Sequence, residues 1–240
     1  MNIFLAGASG ILGRPCIRIL TARKHRVFAM TRKPELSRGL WTAGAIPIVV
    51  DALDASAARR AIDAIKPEAV ISQLTDLALL HAPGKLSEAL AHNATLRKVG
   101  TANLVAASVA AGVGHFVTQS IAWVYEPGGD PHDEDSPLAL GASGDLGVTV
   151  DGVATMERAV LDTPELRGCV LRYGFIHGPH TGRDTVADSP LPVHVEAAAW
   201  AAVLAVERQA AGIFNVAEMN RQVRTDRVRR ELNWNESLRA

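Results

Sequence analysis

Gly7, Gly10 and Gly13 are the residues whose type and spacing speak most directly of chemistry. They follow the apolar run Asn2-Ile-Phe-Leu-Ala and open a segment with helical spacing. A strand that turns on glycine into a helix offers free backbone N–H groups and the positive end of the helix dipole, which together cradle a pyrophosphate. Gly7 allows the tight turn, Gly10 the approach of the phosphate, and Gly13 the close packing of helix on strand. Ser9, Ile11 and Leu12 belong to the same turn and are read with the glycines as dinucleotide-contacting residues. The next strand ends in Met30-Thr31-Arg32-Lys33-Pro34. A site selective for NAD carries an acid there, on the ribose 2′-hydroxyl. Two cations stand in its place, and a guanidinium forks well onto a phosphate. Arg32 and Lys33, with Ser9 and Arg14 nearby, therefore predict NADP(H), with NAD(H) less favoured. One charge-assisted hydrogen bond of roughly 1.5–3 kcal/mol corresponds to about a ten- to one-hundred-fold preference.

The elements that must position these residues alternate. Short apolar runs at 2–6, 26–30, 46–50, 69–73, 115–119, 168–173 and 213–216 read as strands buried on both faces. Longer Ala/Leu-rich segments at 11–23, 55–65, 85–111, 148–162, 194–208 and 224–232 read as helices. This alternation predicts an α/β fold, a doubly wound parallel sheet of Rossmann type with right-handed crossovers. Pro67 precedes the fourth strand, and Gly112 and Gly114 end the long helix before the fifth. The stretches 126–147 and 177–193 carry no period and read as loops. The chain is expected to form one domain over 1–240, with 177–240 as its substrate-side C-terminal portion.

Composition narrows the function. In 240 residues Lys+Arg and Asp+Glu are both 25, so the basic excess of a nucleic-acid binder is missing. Cys16 and Cys169 have no metal-ligand or disulfide spacing and fit a reducing compartment. The N-terminus lacks the pattern of a signal peptide, and no apolar run is as long as a membrane span. A cytoplasmic protein with a small-molecule substrate, and with neither nucleic acid nor membrane as partner, is the expectation. The acidic stretch Asp130 to Asp135, with His132 inside it, and the Arg-rich 221–230 segment read as solvated faces.

The spacing G-x-x-G-x-x-G resembles the short-chain dehydrogenase/reductase superfamily in its extended or atypical branch. Asp51, with Ala52 beside it, closes the third strand where that family touches the adenine. Leu171-Arg-Tyr-Gly-Phe-Ile-His-Gly-Pro179, His194-Val-Glu-Ala-Ala-Ala and Gly212-Ile-Phe-Asn-Val resemble elements of NAD(P)-dependent epimerase/dehydratase proteins. The resemblance covers nearly the whole chain. It implies a nicotinamide cofactor and a homodimer formed through helices 85–111 and 148–162. The segment between Pro179 and His194 is shorter than in sugar-nucleotide epimerases.

The resemblance also implies a Tyr-x-x-x-Lys pair, which this chain departs from. Its two tyrosines, Tyr125 and Tyr173, are followed four residues on by Gly129 and His177. Counted back from Glu157, Thr149 takes the tyrosine position and Val153 the lysine position; Ile121 takes that of the catalytic hydroxyl. A positioned general acid contributes about 10²–10⁴-fold in rate. Hydride transfer to a good acceptor needs less help than ketone reduction. Ser120 and Tyr125 are the replacement candidates for catalysis, and Thr149, Tyr173 and His177 for substrate contact. Two readings stand: an NADP(H)-dependent reductase of a small carbonyl or quinone-like substrate, and a catalytically silent NADP(H) sensor resembling the NmrA-like regulators. Epimerase or dehydratase-type chemistry is a further alternative.

Overall fold

The structure, a computed structural model, describes residues 1–76, 83–183 and 189–240. Its strands are β1 (Asn2–Ala6), β2 (Arg26–Thr31), β3 (Ile46–Val49), β4 (Ala69–Ser72), β5 (His115–Ile121), β6 (Arg167–Tyr173), β7 (Phe175–His177), β8 (Pro192–His194) and β9 (Gly212–Val216). Seven form one parallel sheet in the order β3-β2-β1-β4-β5-β6-β9, while β7 and β8 pair separately. The direction in which successive strands are added to the sheet reverses between β1 and β4, which are themselves parallel. The loops leaving those two strands diverge there and open a crevice, the usual ligand site of such sheets.

The helices are α1 (Gly13–Ala22), α2 (Ser37–Thr42), α3 (Ala55–Ile65), α4 (Leu86–Thr95), α5 (Thr101–Ala110), α6 (Gly144–Leu161), α7 (Val195–Glu207) and α8 (Asp226–Leu232). A wide π-type turn, Leu96–Gly100, joins α4 to α5 without a break. Alternate strand residues sort to two cores. Ile3, Leu5, Ile71, Val117 and Leu171 face α1 and α7. Phe4, Val70 and Phe116 face α3 and α5. The contact face of α7 is almost all alanine, with Ala197, Ala198, Ala201, Ala202 and Ala205 fully buried, so the helix backbone approaches the sheet closely. Local chemistry sets the ends of α3: the Asp54 carboxylate accepts from the Ala57 amide at 2.9 Å, and Lys66 stops the helix in the left-handed region at φ 48°.

Every expected strand is present to within two residues at either end. The first helix starts at Gly13 rather than residue 11, because residues 7–12 form the turn. Helix α2 is an addition; with only Leu40 buried it leaves no period to read. The β7–β8 pair is another, its strands lying at the two ends of the stretch 177–193 expected as a loop. Its three-residue strands exist only because Phe175–His177 meets Pro192–His194. The acidic loop is also less solvated than its composition suggests. His132 and Glu134 are buried, and His132 stacks on Tyr125 at 4.9 Å between centroids. No helix among the described residues is long and apolar enough to cross a membrane.

Helix α7 is clamped at both its ends, to the middle of α1 and to the residues that follow α1. Arg18 Nη2 donates to Glu196 Oε1 at 2.5 Å, and Glu207 accepts from Arg23 and lies 3.0 Å from His25 Nε2. Burial alone would raise the Glu207 pKa, but Arg23 and His25 outweigh it and hold the carboxyl below its usual range. A depressed folded pKa adds stability above the unfolded value, and that stability is lost as pH falls through the folded one. Urea unfolding is expected to show this loss below about pH 4.5. Glu207→Gln should flatten that part of the profile at a cost near neutral pH of about 0.5–1 kcal/mol, small because Arg23 is largely solvent-screened.

Candidate cofactor and active site

The glycine turn is dictated by its own backbone. Gly7 has φ +74°, and a Cβ there would lie 2.3 Å from the carbonyl oxygen of Gln73 beyond β4. A Cβ on Gly13 would lie 2.3 Å from the Gly7 oxygen and 2.5 Å from that of Ala8. Helix α1 therefore starts against β1 with no room for a side chain. Gly10 differs: its amide donates to the Gly7 carbonyl at 3.0 Å, and a Cβ on it would meet only that oxygen, at 3.2 Å. Its open side borders two clefts. The first, about 380 Å³, is lined by Gly7, the end of β2 (Met30–Lys33), Asp51 and Ala52, the residues after β4 (Gln73–Asp76), and Leu96. The second, about 500 Å³, is lined by Ile11, Pro15, Arg18, Pro179, His180 and Glu196. Ser9, Gly10 and Arg14 line both. An open glycine between two connected clefts, with cations along the first, fits a long dinucleotide whose phosphates cross the turn.

Most of the residues read as cofactor-contacting are brought together here. Arg14 Nε donates to the Ser9 carbonyl at 3.1 Å, and Ser9 Oγ lies 3.4 Å from Thr31 Oγ1, which accepts from the Lys33 amide at 3.2 Å. Asp51 accepts from the Leu53 amide at 2.9 Å, and Asn103 Nδ2 donates to the Ala52 carbonyl at 2.9 Å, fixing the floor of the first cleft. Arg32 does not stand free in solvent. Its Nη2 donates to Asp76 Oδ2 at 2.5 Å, joining the loop after β2 to the loop after β4. Asn93 holds the Asp76 backbone with two bonds of 2.8 Å. Ile11 points to the second cleft, whereas the Leu12 side chain is buried in the core and leaves only its backbone to the turn.

Ser120 and Tyr125 meet elsewhere, in one buried polar network. Ser120 Oγ donates to Glu157 Oε1 at 2.6 Å. Arg172 forks onto the same carboxylate, Nε to Oε1 at 3.0 Å and Nη2 to Oε2 at 2.7 Å. Its Nη1 reaches the Tyr125 hydroxyl at 2.9 Å and the Glu134 carbonyl at 3.2 Å. Tyr125 in turn donates to Asn215 Oδ1 at 2.6 Å, and the Asn215 amide donates to Glu134 Oε1 at 3.0 Å. Burial pushes the Tyr125 pKa up, against the pull of Arg172, so this phenol holds its proton firmly. Burial opposes the charge of Arg172 as well, but Glu157 more than offsets it and raises its pKa. Both hydroxyls are thus engaged by protein partners.

The other candidates are dispersed. Thr149 is buried on α6. Tyr173 is fully buried in the core with Cys16 and Cys169; its hydroxyl faces Gln73 without forming a hydrogen bond, and burial raises its pKa far above normal. His177 Nε2 lies 2.8 Å from Glu218 Oε1, which also accepts from the His194 amide at 2.9 Å, and its ring meets that of His194 edge-on. None of these three lines either cleft. Arg97 and Asn215 carry no expectation from the sequence, and Glu134 is expected to lie on a solvated face. Arg97 has a visible mark, a charge inside a long apolar helix.

Comparison with known proteins fits this geometry. Residues 7–188 match the model of a family described as NAD(P)H-binding. The chain belongs to that family. This NAD(P)H-binding chain is 41% identical over 243 residues to the 3-diazoavenalumate denitrifying reductase of a Streptomyces species, covering 91% of this chain and 76% of that protein. Its fold matches UDP-glucose 4-epimerase of Thermotoga maritima, solved with UDP-glucose (TM-score 0.78, 17% identity, 99% of this chain and 94% of the other). It also matches the Bordetella bronchiseptica enzyme WbmG in complex with NAD (TM-score 0.73, 19% identity, 100% and 90%). At such identities the two structures speak for the fold, which is that of the epimerases; the family model and the lining of the clefts speak for a nicotinamide cofactor.

The network predicts its own failure. Glu157→Ala leaves the buried Arg172 guanidinium without its carboxylate and should cost about 3–5 kcal/mol. Chemical denaturation checks this, and Ser120→Ala, which removes a single donor, should cost roughly 1 kcal/mol by the same measurement.

Proposed function

We propose that this chain is an NADPH-dependent reductase whose substrate takes a hydride without needing a proton from the protein, and that an arenediazonium acid is that substrate. The observation that carries the reading is the engagement of Ser120 and Tyr125. The Ser120 hydroxyl donates to Glu157, and that of Tyr125 donates to Asn215 while its oxygen accepts from Arg172. By the resemblance, counted back from Glu157, the helix positions that would supply an acid–base pair hold Thr149 and Val153. Such a site is suited to delivering electrons and unsuited to delivering a proton.

A reduced nicotinamide, when bound, supplies a hydride. The protein's part is to hold the cofactor and orient the acceptor. Gly10 and the start of α1 receive the pyrophosphate. Asp51 and Ala52 face the adenosine. Arg32 would hold the 2′-phosphate in place of Asp76, with Lys33, Ser9 and Arg14 beside it. The buried Ser120–Glu157–Arg172 unit fixes the end of β5 as a rigid wall, so Ser120 and Tyr125 act as positioning residues. A ketone would need a proton donor at this point. A diazonium does not: the carbon gains the hydride, the C–N bond breaks, and its electron pair leaves with N2. One diazonium cation and one NADPH give one arene, one N2 and one NADP+, with no external proton. The relative named as a denitrifying reductase of a diazo acid supports this class. An alkyl diazonium loses nitrogen unaided, so a substrate that waits for an enzyme is aromatic.

The second reading, a silent NADP(H) sensor, is favoured by the same lack of an acid–base pair. Incubation with NADPH and 4-carboxybenzenediazonium separates the two. Benzoate, N2 and NADP+ in equal amounts, formed faster than without protein, is the expected result. With NADPH deuterated at C4, the label should enter the ring, and with D2O as solvent it should not. Tight NADPH binding with no rate above the protein-free control, for the diazonium and for quinones alike, would support the sensor. Cofactor choice has a separate check. Arg32→Ala should weaken NADPH roughly 10- to 100-fold in a calorimetric titration and leave NADH nearly unchanged; equal losses for both would remove the 2′-phosphate assignment.

A further inference from the structure

Arg97 is nine-tenths buried in the wide turn Leu96–Gly100. Among the described residues it makes no hydrogen bond and has no acid within ion-pair distance. Burial pulls its pKa down to about 10, with the more distant charge of Glu157 resisting. Glu157 makes no ion pair with it and is occupied by other donors. Its Oε1 already takes Ser120 and Arg172, and its Oε2 takes Arg172. Glu134, the other acid of the network, is turned to the Asn215 amide. A buried guanidinium left in this way is costly, and few stable folds keep one without a use.

Its position suggests the use. Leu96, the preceding residue, lines the cofactor cleft. Glu157, whose charge Arg97 senses, holds Ser120 at the end of β5. Arg97 itself lines neither described cleft; it follows Leu96, which lines the first, and stands near enough to Glu157 to feel its charge. The turn that carries it is a π-type insertion, a feature frequent at functional sites, and its wider winding shifts the side chains out of the α-helical register.

We infer that Arg97 is the anchor for the carboxylate of the substrate. This rests on the proposed reading of the protein as a reductase of a small organic acid. A guanidinium fork matches a carboxylate in shape, with two parallel N–H to oxygen bonds. One uncompensated positive charge is neutralised by one monoanion, whereas a phosphate dianion would leave a buried negative charge. The anchor would hold the acid end of the molecule and leave the reacting end free to meet the cofactor.

The test is a binding experiment that requires no turnover. The intact protein, saturated with NADP+, is titrated calorimetrically with trans-cinnamate and with cinnamamide, its neutral analogue. Cinnamate is expected to bind roughly 10- to 100-fold more tightly than the amide. Arg97→Met should abolish that difference and Arg97→Lys should keep part of it. NADP+ affinity should be unchanged in both. The melting temperature of Arg97→Met should stay level or rise, because an unpaired buried charge has been removed; a structural partner of Glu157 would instead lower it. Equal binding of acid and amide, binding of neither, or an acid preference that survives in Arg97→Met would overturn the anchor. The reaction stands apart from it. If the acid preference holds but the diazonium is not turned over, the anchor survives and the substrate class fails. If the diazonium is turned over without an acid preference, the reverse follows.

Discussion

The carboxylate of Glu157 is the point on which the β5-β6-β9 side of the molecule depends. It projects from α6 and receives Ser120 from β5 and both arms of Arg172 from β6. Through Arg172 it reaches Tyr125 and the Glu134 carbonyl, and through Tyr125 it reaches Asn215 on β9. One buried charge pair thus fastens a helix, three neighbouring strands and the acidic loop to each other. Such a network is stable only when complete, since each buried donor or acceptor left unmet costs its full desolvation. Its members cannot be exchanged one at a time without loss.

That constraint governs the chemistry left to the site. Hydroxyls that hold a scaffold together are poor proton donors, and burial makes Tyr125 poorer still. On the cofactor side the constraint is steric. Gly7 and Gly13 are required by backbone oxygens 2.3 Å from where a Cβ would stand, and Gly10 alone leaves space outward. The fold is that of the epimerases, but the side chains at the end of β5 and on α6 are arranged for rigidity. The proposed hydride chemistry follows from that difference. The Arg32–Asp76 bridge adds a second theme, since the cation proposed for a 2′-phosphate is held by an acid across the cleft.

Much of this was open to sequence reading. Buried parallel strands are short continuous apolar runs, and helices between them carry a different period, so the β/α alternation and strand bounds emerge from local pattern. The glycine turn is legible for the same reason, as its spacing reflects contacts among residues close in the chain. Helix α2 escaped because one buried side chain in six residues makes no period. The β7–β8 pair escaped because each strand has three residues and is defined by the other. The acidic stretch, read as solvated, sends His132 and Glu134 inward, since the partners that make their burial tolerable lie far along the chain.

The sequence by itself determined the doubly wound sheet, the dinucleotide turn and the departure from a Tyr-x-x-x-Lys pair. All three are matters of local order, of which residue follows which. The tertiary structure alone decided what the remaining polar groups do. Tyr125 and Asn215 stand 90 positions apart, Ser120 and Glu157 37 apart, and Arg32 and Asp76 44 apart. No local pattern encodes those meetings, because they arise from the order in which strands assemble. The same assembly turned Tyr173 into the core, locked His177 onto Glu218, and left Arg97 buried with no partner among the described residues. A side chain's chemistry is set by its neighbours in space, and only the folded chain supplies them.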